Sequence, residues 1–162
     1  MVVNMRKLLV GLVLGVLWLA HASTASPTRL EGAFPSLVTD GGVLYVRILG
    51  LPSSAGGIKI ALYDSQDAYA HRRGSLRKAY LPITNGASEW IVDGLPPGEY
   101  AVMFYHDANG NRGLDRNRLG LPTESFGFSN DAKPRLGLPP FEKVKFSLSE
   151  PVMRIELRAQ AR

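Results

Sequence analysis

Cysteine is absent from this chain of 162 residues. Its absence excludes disulfide bonds, thiolate metal sites and a catalytic thiol. It also excludes processing as a lipid-anchored bacterial precursor, which needs a cysteine at its cleavage point. A folded domain must therefore be held by its core alone, and a mature chain of about 140 residues is long enough to bury roughly two-thirds of its unfolded surface.

Histidine is scarce, with three residues in the whole chain. Only His71 and His106 lie beyond the N-terminal leader, and two histidines without a tight carboxylate cluster make a poor zinc site. The sequence contains no glycine-rich phosphate loop and no nucleophile-elbow pattern. We identify no catalytic residue from these patterns, and they favour a non-catalytic role over an enzyme.

The chain also has only a small excess of basic over acidic residues. The chain has 19 Lys and Arg against 14 Asp and Glu, and without Arg6 and Lys7 the balance is 17 against 14, a net charge of +3. So small an excess argues against a nucleic-acid partner. The one basic cluster, residues 71–78, suits an anionic surface, but it is explained as well by a solvated edge that resists strand pairing between molecules.

Only one long apolar run is present, near the N-terminus. Arg6 and Lys7 precede an uncharged run of 13 residues, 8–20, and small residues stand at positions 20 and 22. This order is typical of a secretory signal peptide, and a spanning helix needs about 20 apolar residues. We predict a signal peptide at residues 1–22, a flexible linker at 23–42 and export to the periplasm or beyond, with an uncleaved anchor as the alternative.

Apolar and polar residues alternate from residue 43 onward, which is the period of half-buried strands. Asn85-Gly86 is a hairpin signal, and Pro82 places the third strand at a sheet edge. The pattern predicts an all-β fold over residues 43–160, a seven-stranded antiparallel Greek-key sandwich of the immunoglobulin or prealbumin type. The seven strands are expected at residues 43–49, 58–63, 76–84, 90–92, 99–105, 141–149 and 152–158.

A tyrosine opens the fifth predicted strand after the rigid turn Leu-Pro-Pro-Gly of residues 95–98. In Greek-key sandwiches a tyrosine at such a corner folds back and hydrogen-bonds the preceding loop. We therefore predict a structural role for Tyr100, with its hydroxyl satisfied while its ring packs.

One long loop, residues 106–140, separates the fifth and sixth predicted strands. Compact domains rarely keep a loop above about 15 residues unless it is functional or disordered. Its leucines and phenylalanines are sufficient to pack on the sandwich, so we predict an ordered loop. Phe126 and Phe128 serve either as an apolar or sugar-stacking platform or as a plug for the open end of the sandwich, and we favour the plug.

Oxygen-bearing side chains recur in the first half of this loop at the spacing of a calcium site, which takes alternate residues and a backbone carbonyl at position seven. Counting from position one, the candidate ligands at positions one, three, five, seven and nine are Asp107, Asn109, Asn111, the Gly113 carbonyl and Asp115. The match fails at position six, Arg112, and at position twelve, Arg118. Glu124 is the candidate that folds back as the last ligand.

Such a run does not require metal. Asp and Asn hydrogen-bond their own backbone two residues on and tolerate left-handed conformations, so they also build rigid metal-free loops, which is their more general use. Calcium, if bound, is expected to bind weakly, because only two or three carboxylates are available.

Two functions of different class remain, and an adhesive module that binds envelope glycans through Phe126 and Phe128 is a third option. The first is an exported binding or structural module whose working surface is this loop, with an envelope glycan or protein considered as its partner. Its candidate ligand-binding residues are His106, Asn117, Phe126 and Phe128. The second is a periplasmic or cell-surface hydrolase. It requires four side chains to converge in one open cleft, those of His106, Asp107, Asp115 and Glu124.

The run LPPGEYAVMFYHDANGNRGLDRNRLGLPTESFGFSN, residues 95–130, resembles the DUF2141 family of exported bacterial proteins. The family shows a similar Leu-Pro-Pro-Gly-x-Tyr-Ala entry, then His-Asp-x-Asn-x-Asn, Leu-Asp-x-Asn, Gly-x-Pro-x-Glu and Gly-Phe-Ser-Asn. The resemblance covers residues 42–158, with Ser125 where glycine is usual, and the Pro-Gly-x-Tyr entry is also similar to transthyretin-like and carboxypeptidase-regulatory modules. It implies export and a β-sandwich and supplies no activity.

Overall fold

The computed structural model describes residues 41–135 and 137–160, which lie in one compact unit spanning Ser36–Arg162. The predicted signal peptide and residues 23–40 of the predicted linker lie outside the described residues. The strands are β1 Gly42–Leu49, β2 Gly57–Tyr63, β3 Arg77–Leu81, β4 Ser88–Leu95, β5 Gly98–Asp107, β6 Phe126–Phe128, β7 Phe146–Leu148 and β8 Val152–Arg158. Two short helices, α1 Gln66–His71 and α2 Phe141–Val144, and a 3-10 turn, Ser129–Asp131, complete the elements.

These strands form two sheets, which confirms a mostly β fold. The first sheet has the order β4-β1-β8, and the second has the order β3-β2-β5-β6 with β7 also paired to β5. Strands β1 and β8 are parallel, whereas the sequence predicted only antiparallel pairs, and the described residues hold eight strands rather than seven. The ends of the domain meet in the β1–β8 pair, and a local alternation carries no information about the direction of so distant a pairing.

One hydrophobic core is shared by both sheets, because alternate residues of each strand face it. Its fully buried aliphatic residues include Leu44, Val46 and Ile48 of β1 and Ile58, Ile60 and Leu62 of β2. Burial of each such side chain stabilises the fold by about 1.5–3 kcal/mol. This core replaces the disulfides that the chain lacks.

Strand β5 is apolar on both faces, as its sequence indicated. Tyr100, Val102 and Phe104 belong to the shared core, while Ala101 and Met103 alternate to the opposite face. A second cluster covers that face, and its buried members are Tyr63, Tyr69, Ala101, Phe128, Phe141 and Val144. Helices α1 and α2 and strand β6 therefore shield the outer side of β5.

The prediction of a continuous sixth strand over residues 141–149 is wrong in its first half. Residues Phe141–Val144 form one helical turn behind Pro140, which takes φ −58 at the N-cap, and only Phe146–Leu148 is a strand. The turn places Val144 in the second cluster, whereas Phe146 lies in the shared core. The alternation of apolar and polar residues did not reveal that Val144 and Phe146 belong to different clusters.

Several local predictions are confirmed. The Tyr100 hydroxyl donates to the Pro96 carbonyl at 2.6 Å, which is the predicted corner. Asn85 and Gly86 both have positive φ, 52 and 72, in the tight turn closed by Thr84 and Ala87. Strand β3 stops before Pro82 and lies at a sheet edge. No helix among the described residues has the length and hydropathy of a membrane span.

Candidate functional site

The end of β5 sends two neighbouring side chains to opposite faces of its sheet. His106 is 1% exposed, and its Nε2 lies 2.7 Å from the Ala55 carbonyl. Asp107 is 0% exposed and alternates to the other side, where the loop that follows begins. Their adjacency in sequence therefore does not make them a base and its partner.

Asp107 is the buried carboxylate of the site. Its Oδ2 accepts the Arg112 backbone N–H at 2.8 Å, while its Oδ1 has no hydrogen-bond partner among the described residues. The Tyr80 hydroxyl lies within hydrogen-bond reach of the Asp107 carboxylate, and burial, the negative charge of Asp107 and this hydrogen bond raise the pKa of Tyr80. A buried carboxylate surrounded only by neutral donors is costly, so its charge needs a physical explanation.

The residues that follow Asp107 fold as a chain of side-chain-to-backbone turns. The Asn111 N–H donates to Asn109 Oδ1 at 3.0 Å, and the Gly113 N–H donates to Asn111 Oδ1 at 2.8 Å. Arg112 has φ 62, the left-handed conformation that glycine adopts most readily. In a calcium loop, glycine at position six makes the sharp turn. Arg112 makes that turn here, so the departure at position six concerns the side chain and not the backbone.

Asp115 lies at the centre of a network of side-chain amides. Asn109 Nδ2 donates to Asp115 Oδ2 at 2.7 Å, and Asn111 Nδ2 donates to Asp115 Oδ1 at 2.9 Å. In this arrangement the carboxylate charge is balanced by neutral donors of its own loop. Hydrogen bonds thus link the candidate ligands at positions three, five, seven and nine, while Asp107 at position one bonds to the Arg112 N–H.

Glu124 folds back onto the same loop. Its Oε1 accepts the Ala108 N–H at 3.0 Å and its Oε2 accepts the Asp115 N–H at 3.1 Å. The side chain is 9% exposed. Glu124 therefore braces both ends of residues 107–124, which we call the Asp/Asn loop.

Two strand residues that the sequence did not single out fasten the Asp/Asn loop to the sheet. Lys59 Nζ and the Tyr105 hydroxyl donate to the Arg112 carbonyl, at 2.7 and 2.8 Å. The Arg112 guanidinium lies 5.2 Å from the ring centroid of Tyr80. Burial, and then the charges of Asp107 and Glu124, raise the pKa of Tyr105 to about 12. The only sequence signal for these residues is that they occupy outward positions of their strands.

Within the loop, residues 116–122 form a small hairpin that we call the tip hairpin. An isolated bridge pairs Arg116 with Pro122, and Asn117 Oδ1 accepts the N–H groups of Leu119 and Leu121 at 2.9 and 3.0 Å. Asn117, a candidate ligand-binding residue, thus has its side-chain oxygen engaged in building this turn. Leu119 is 84% exposed and Leu121 58%.

Phe126 and Phe128 lie in the second cluster. Phe128 is buried, Phe126 is half-buried, and their rings meet at 67° with centroids 5.9 Å apart. They pack in the cluster on the outer face of β5, and the angle between their rings means that they do not form a flat two-ring platform. The serine of the Gly-Phe-Ser-Asn run attaches this segment to β5 by a buried hydrogen bond, in which Ser129 Oγ accepts the Val102 N–H at 3.0 Å.

The four side chains of the hydrolase hypothesis do not share a cleft. A shallow cleft of about 400 Å³ is lined by His106 and Glu124 but not by Asp107 or Asp115, which bond within their own loop. In the described part of the chain, no three His, Cys, Asp or Glu side chains gather closely enough to hold a metal. A calcium site draws also on amide and carbonyl oxygens, which that grouping does not count.

The comparisons with known proteins agree with the motifs of the loop. The family model described as an uncharacterized protein conserved in bacteria, DUF2141, matches residues 46–156. No curated protein and no solved structure matches the chain. The match begins within β1, ends within β8 and includes the whole Asp/Asn loop. The chain belongs to the DUF2141 family.

Proposed function

We propose that this protein is an exported, non-catalytic module whose Asp/Asn loop binds a calcium ion. The observation that carries the proposal is Asp107, a fully buried carboxylate that makes no ion pair among the described residues and has only the neutral Arg112 N–H and the neutral Tyr80 hydroxyl beside it. A cation is the charged partner that such a carboxylate lacks. The backbone turn at Arg112 supports the same conclusion, since φ 62 supplies the bend that position six of a calcium loop requires.

The proposed ligands are oxygens of one loop, and four of the residues that supply them are already linked by hydrogen bonds. They are the side-chain oxygens of Asp107, Asn109, Asn111 and Asp115 and the Gly113 carbonyl, with Glu124 bracing the loop as a further carboxylate. Calcium accepts six to eight oxygens in flexible geometry. For it to enter, the amide groups of Asn109 and Asn111 must turn their nitrogens away from Asp115. The exchange replaces neutral donors by a divalent cation.

Three carboxylates predict a weak site, in the about 10⁻⁴–10⁻³ M range of extracellular modules. Such an affinity suits a protein outside the cytoplasm, where calcium is abundant, and so agrees with the signal-like leader. We further propose the finer description of the fold as a Greek-key sandwich. In its support, the chain changes sheet after β1, after β3, after β4 and after β7.

The proposal is tested by thermal unfolding of Asp107→Asn with calcium and with a chelator. Without metal, the variant should be as stable as the wild type or more stable by about 1 kcal/mol, because an amide costs less to bury than a carboxylate. With millimolar calcium, the wild type should gain stability and the variant should not. Asp93→Asn, at an exposed position of β4, is the matched control and should gain as the wild type does.

The metal-free alternative has a different signature. If the loop serves only as a hydrogen-bonded scaffold, calcium leaves the unfolding temperature of the wild type unchanged, and calorimetric titration shows no heat of binding. Either result removes calcium from the account. The fold and the loop network would stand without it.

A further inference from the structure

The tip hairpin presents apolar side chains that the fold does not use. Leu119 and Leu121 are among the few large hydrophobic residues that are exposed, and they stand two positions apart on one tight turn. Asn117 Oδ1 holds both of their N–H groups, and Gly120 takes φ 76 between them. The two leucines are therefore held outward by a built turn, and their exposure does not come from a frayed segment.

Arginines flank these leucines, and no acidic residue interrupts the tip hairpin. Arg116 and Arg118 are exposed. Arg116 Nη1 donates to the Gly120 carbonyl at 2.7 Å, which keeps that guanidinium beside the turn, and its other donors have no partner among the described residues. Exposed leucines next to guanidinium groups complement a bilayer surface, where lipid phosphates lie above the acyl chains.

We propose that the tip hairpin docks onto an anionic bilayer surface. Leu119 and Leu121 insert below the headgroups, and the neighbouring arginines contact lipid phosphates. Two leucine side chains offer far less area than the roughly 1,000 Å² of a specific protein interface, but shallow insertion needs only a few apolar side chains together with charge. The area and the charge together favour a membrane over a protein partner.

Calcium should strengthen this docking, and this part rests on the proposed function. In the Asp/Asn loop the carboxylates of Asp107, Asp115 and Glu124 balance the guanidinium groups of Arg112, Arg116 and Arg118. The loop is thus neutral without metal, and a bound calcium ion makes it doubly positive. A positive loop beside the tip hairpin attracts anionic headgroups.

Vesicle co-sedimentation tests the docking. Residues 36–162 form a compact unit with its own core, so this part can be used without the apolar leader, which would itself bind vesicles. It should bind vesicles of equimolar phosphatidylglycerol and phosphatidylcholine. The double variant Leu119→Ser, Leu121→Ser should bind about tenfold more weakly or worse. Ile91→Ser, which removes a residue 61% exposed on β4, should bind as the wild type does.

The charge requirement has its own pair of variants. Arg118→Gln should weaken binding about fivefold, whereas Arg73→Gln, an exposed arginine beyond α1, should have a smaller effect. Vesicles of phosphatidylcholine alone should bind weakly. Equal binding of the wild type and the double leucine variant would overturn the docking, whatever calorimetry shows for calcium.

The two proposals fail in different ways. Leucine-dependent binding that is the same in calcium and in chelator supports the docking and rejects the calcium coupling. Binding that calcium strengthens in the wild type but not in Asp107→Asn supports both, because the variant separates a loop-bound ion from calcium that merely bridges lipids.

Discussion

Tyr105 reports on the charge held by the Asp/Asn loop. Burial, and then the charges of Asp107 and Glu124, raise its pKa to about 12. A bound cation offsets those charges and favours the phenolate, so calcium should lower the pKa of Tyr105, while burial keeps it above 10. The pKa of Tyr105 is measured as the difference between the ultraviolet titration curves of the wild type and of Tyr105→Phe. An identical Tyr105 pKa in calcium and in chelator would contradict the expected link.

The control for that titration is Tyr63 in the second cluster. Its pKa is also raised, first by burial, and the opposing influence comes from Arg72 rather than from the Asp/Asn loop. Calcium should leave it unchanged. A general drift of all the tyrosines would indicate a change in folding and would not indicate a charge entering the loop.

For single residues, the sequence predicts which side chains interact within the loop better than how the loop is attached to the sheet. The spacing of Asn109, Asn111 and Asp115 indicates a loop whose side chains hydrogen-bond to one another, and the structure shows those bonds. The anchor formed by Lys59 could not be predicted, since Lys59 and Arg112 stand 53 positions apart and no local pattern pairs them.

Strand β6 shows how closely an element of the loop is fitted to the sheet. Gly127 pairs with Phe104, and a Cβ at position 127 would lie 2.4 and 2.6 Å from two atoms of that ring and 2.9 Å from the Arg158 carbonyl. Gly127→Ala should therefore destabilise the domain by about 1–3 kcal/mol, the usual cost of overpacking. Chemical denaturation measures the loss.

Gly98→Ala in β5 is the matched control for that change. The nearest atom to its added Cβ is a Tyr100 ring carbon at 3.6 Å, an ordinary contact. Its stability should change by less than about 0.5 kcal/mol. Equal effects of the two substitutions would mean that β6 is not packed against β5 as described.

Element prediction succeeded where alternation was long and failed where elements were short. Strands β1, β2 and β8 have the clear period of half-buried strands. Strand β6 has three residues and α2 has four, and neither length can show a period. The second cluster also depends on contacts between α1 and the segment after β6, which periodicity does not contain.

For the whole molecule, the burial of tyrosine side chains sets an upper limit on the pH at which the fold is stable. Burial is the first cause of the raised pKa in four tyrosines that are not exposed: Tyr63, Tyr69, Tyr100 and Tyr105. Unfolded tyrosines ionise near pH 10, while these ionise at higher pH in the fold. The free energy of unfolding should therefore be unaffected by them below pH 10 and fall as pH rises above it.

Tyr69→Phe isolates one contribution to that limit. The Tyr69 hydroxyl donates to the Pro139 carbonyl at 3.1 Å, so its loss should cost about 1 kcal/mol at neutral pH. Above pH 10 the variant should lose stability less steeply than the wild type. Denaturation curves at several pH values test this, and parallel losses in the two proteins would show that Tyr69 is not protected from ionisation.

The proposal that calcium binds in the Asp/Asn loop is tested most directly by a crystal structure of residues 36–162 grown with millimolar calcium. The account predicts cation density about 2.3–2.6 Å from Asp107 Oδ1 and from Asp115, with the nitrogens of Asn109 and Asn111 turned away. A loop without cation density, in which both amides still donate to Asp115, would contradict it.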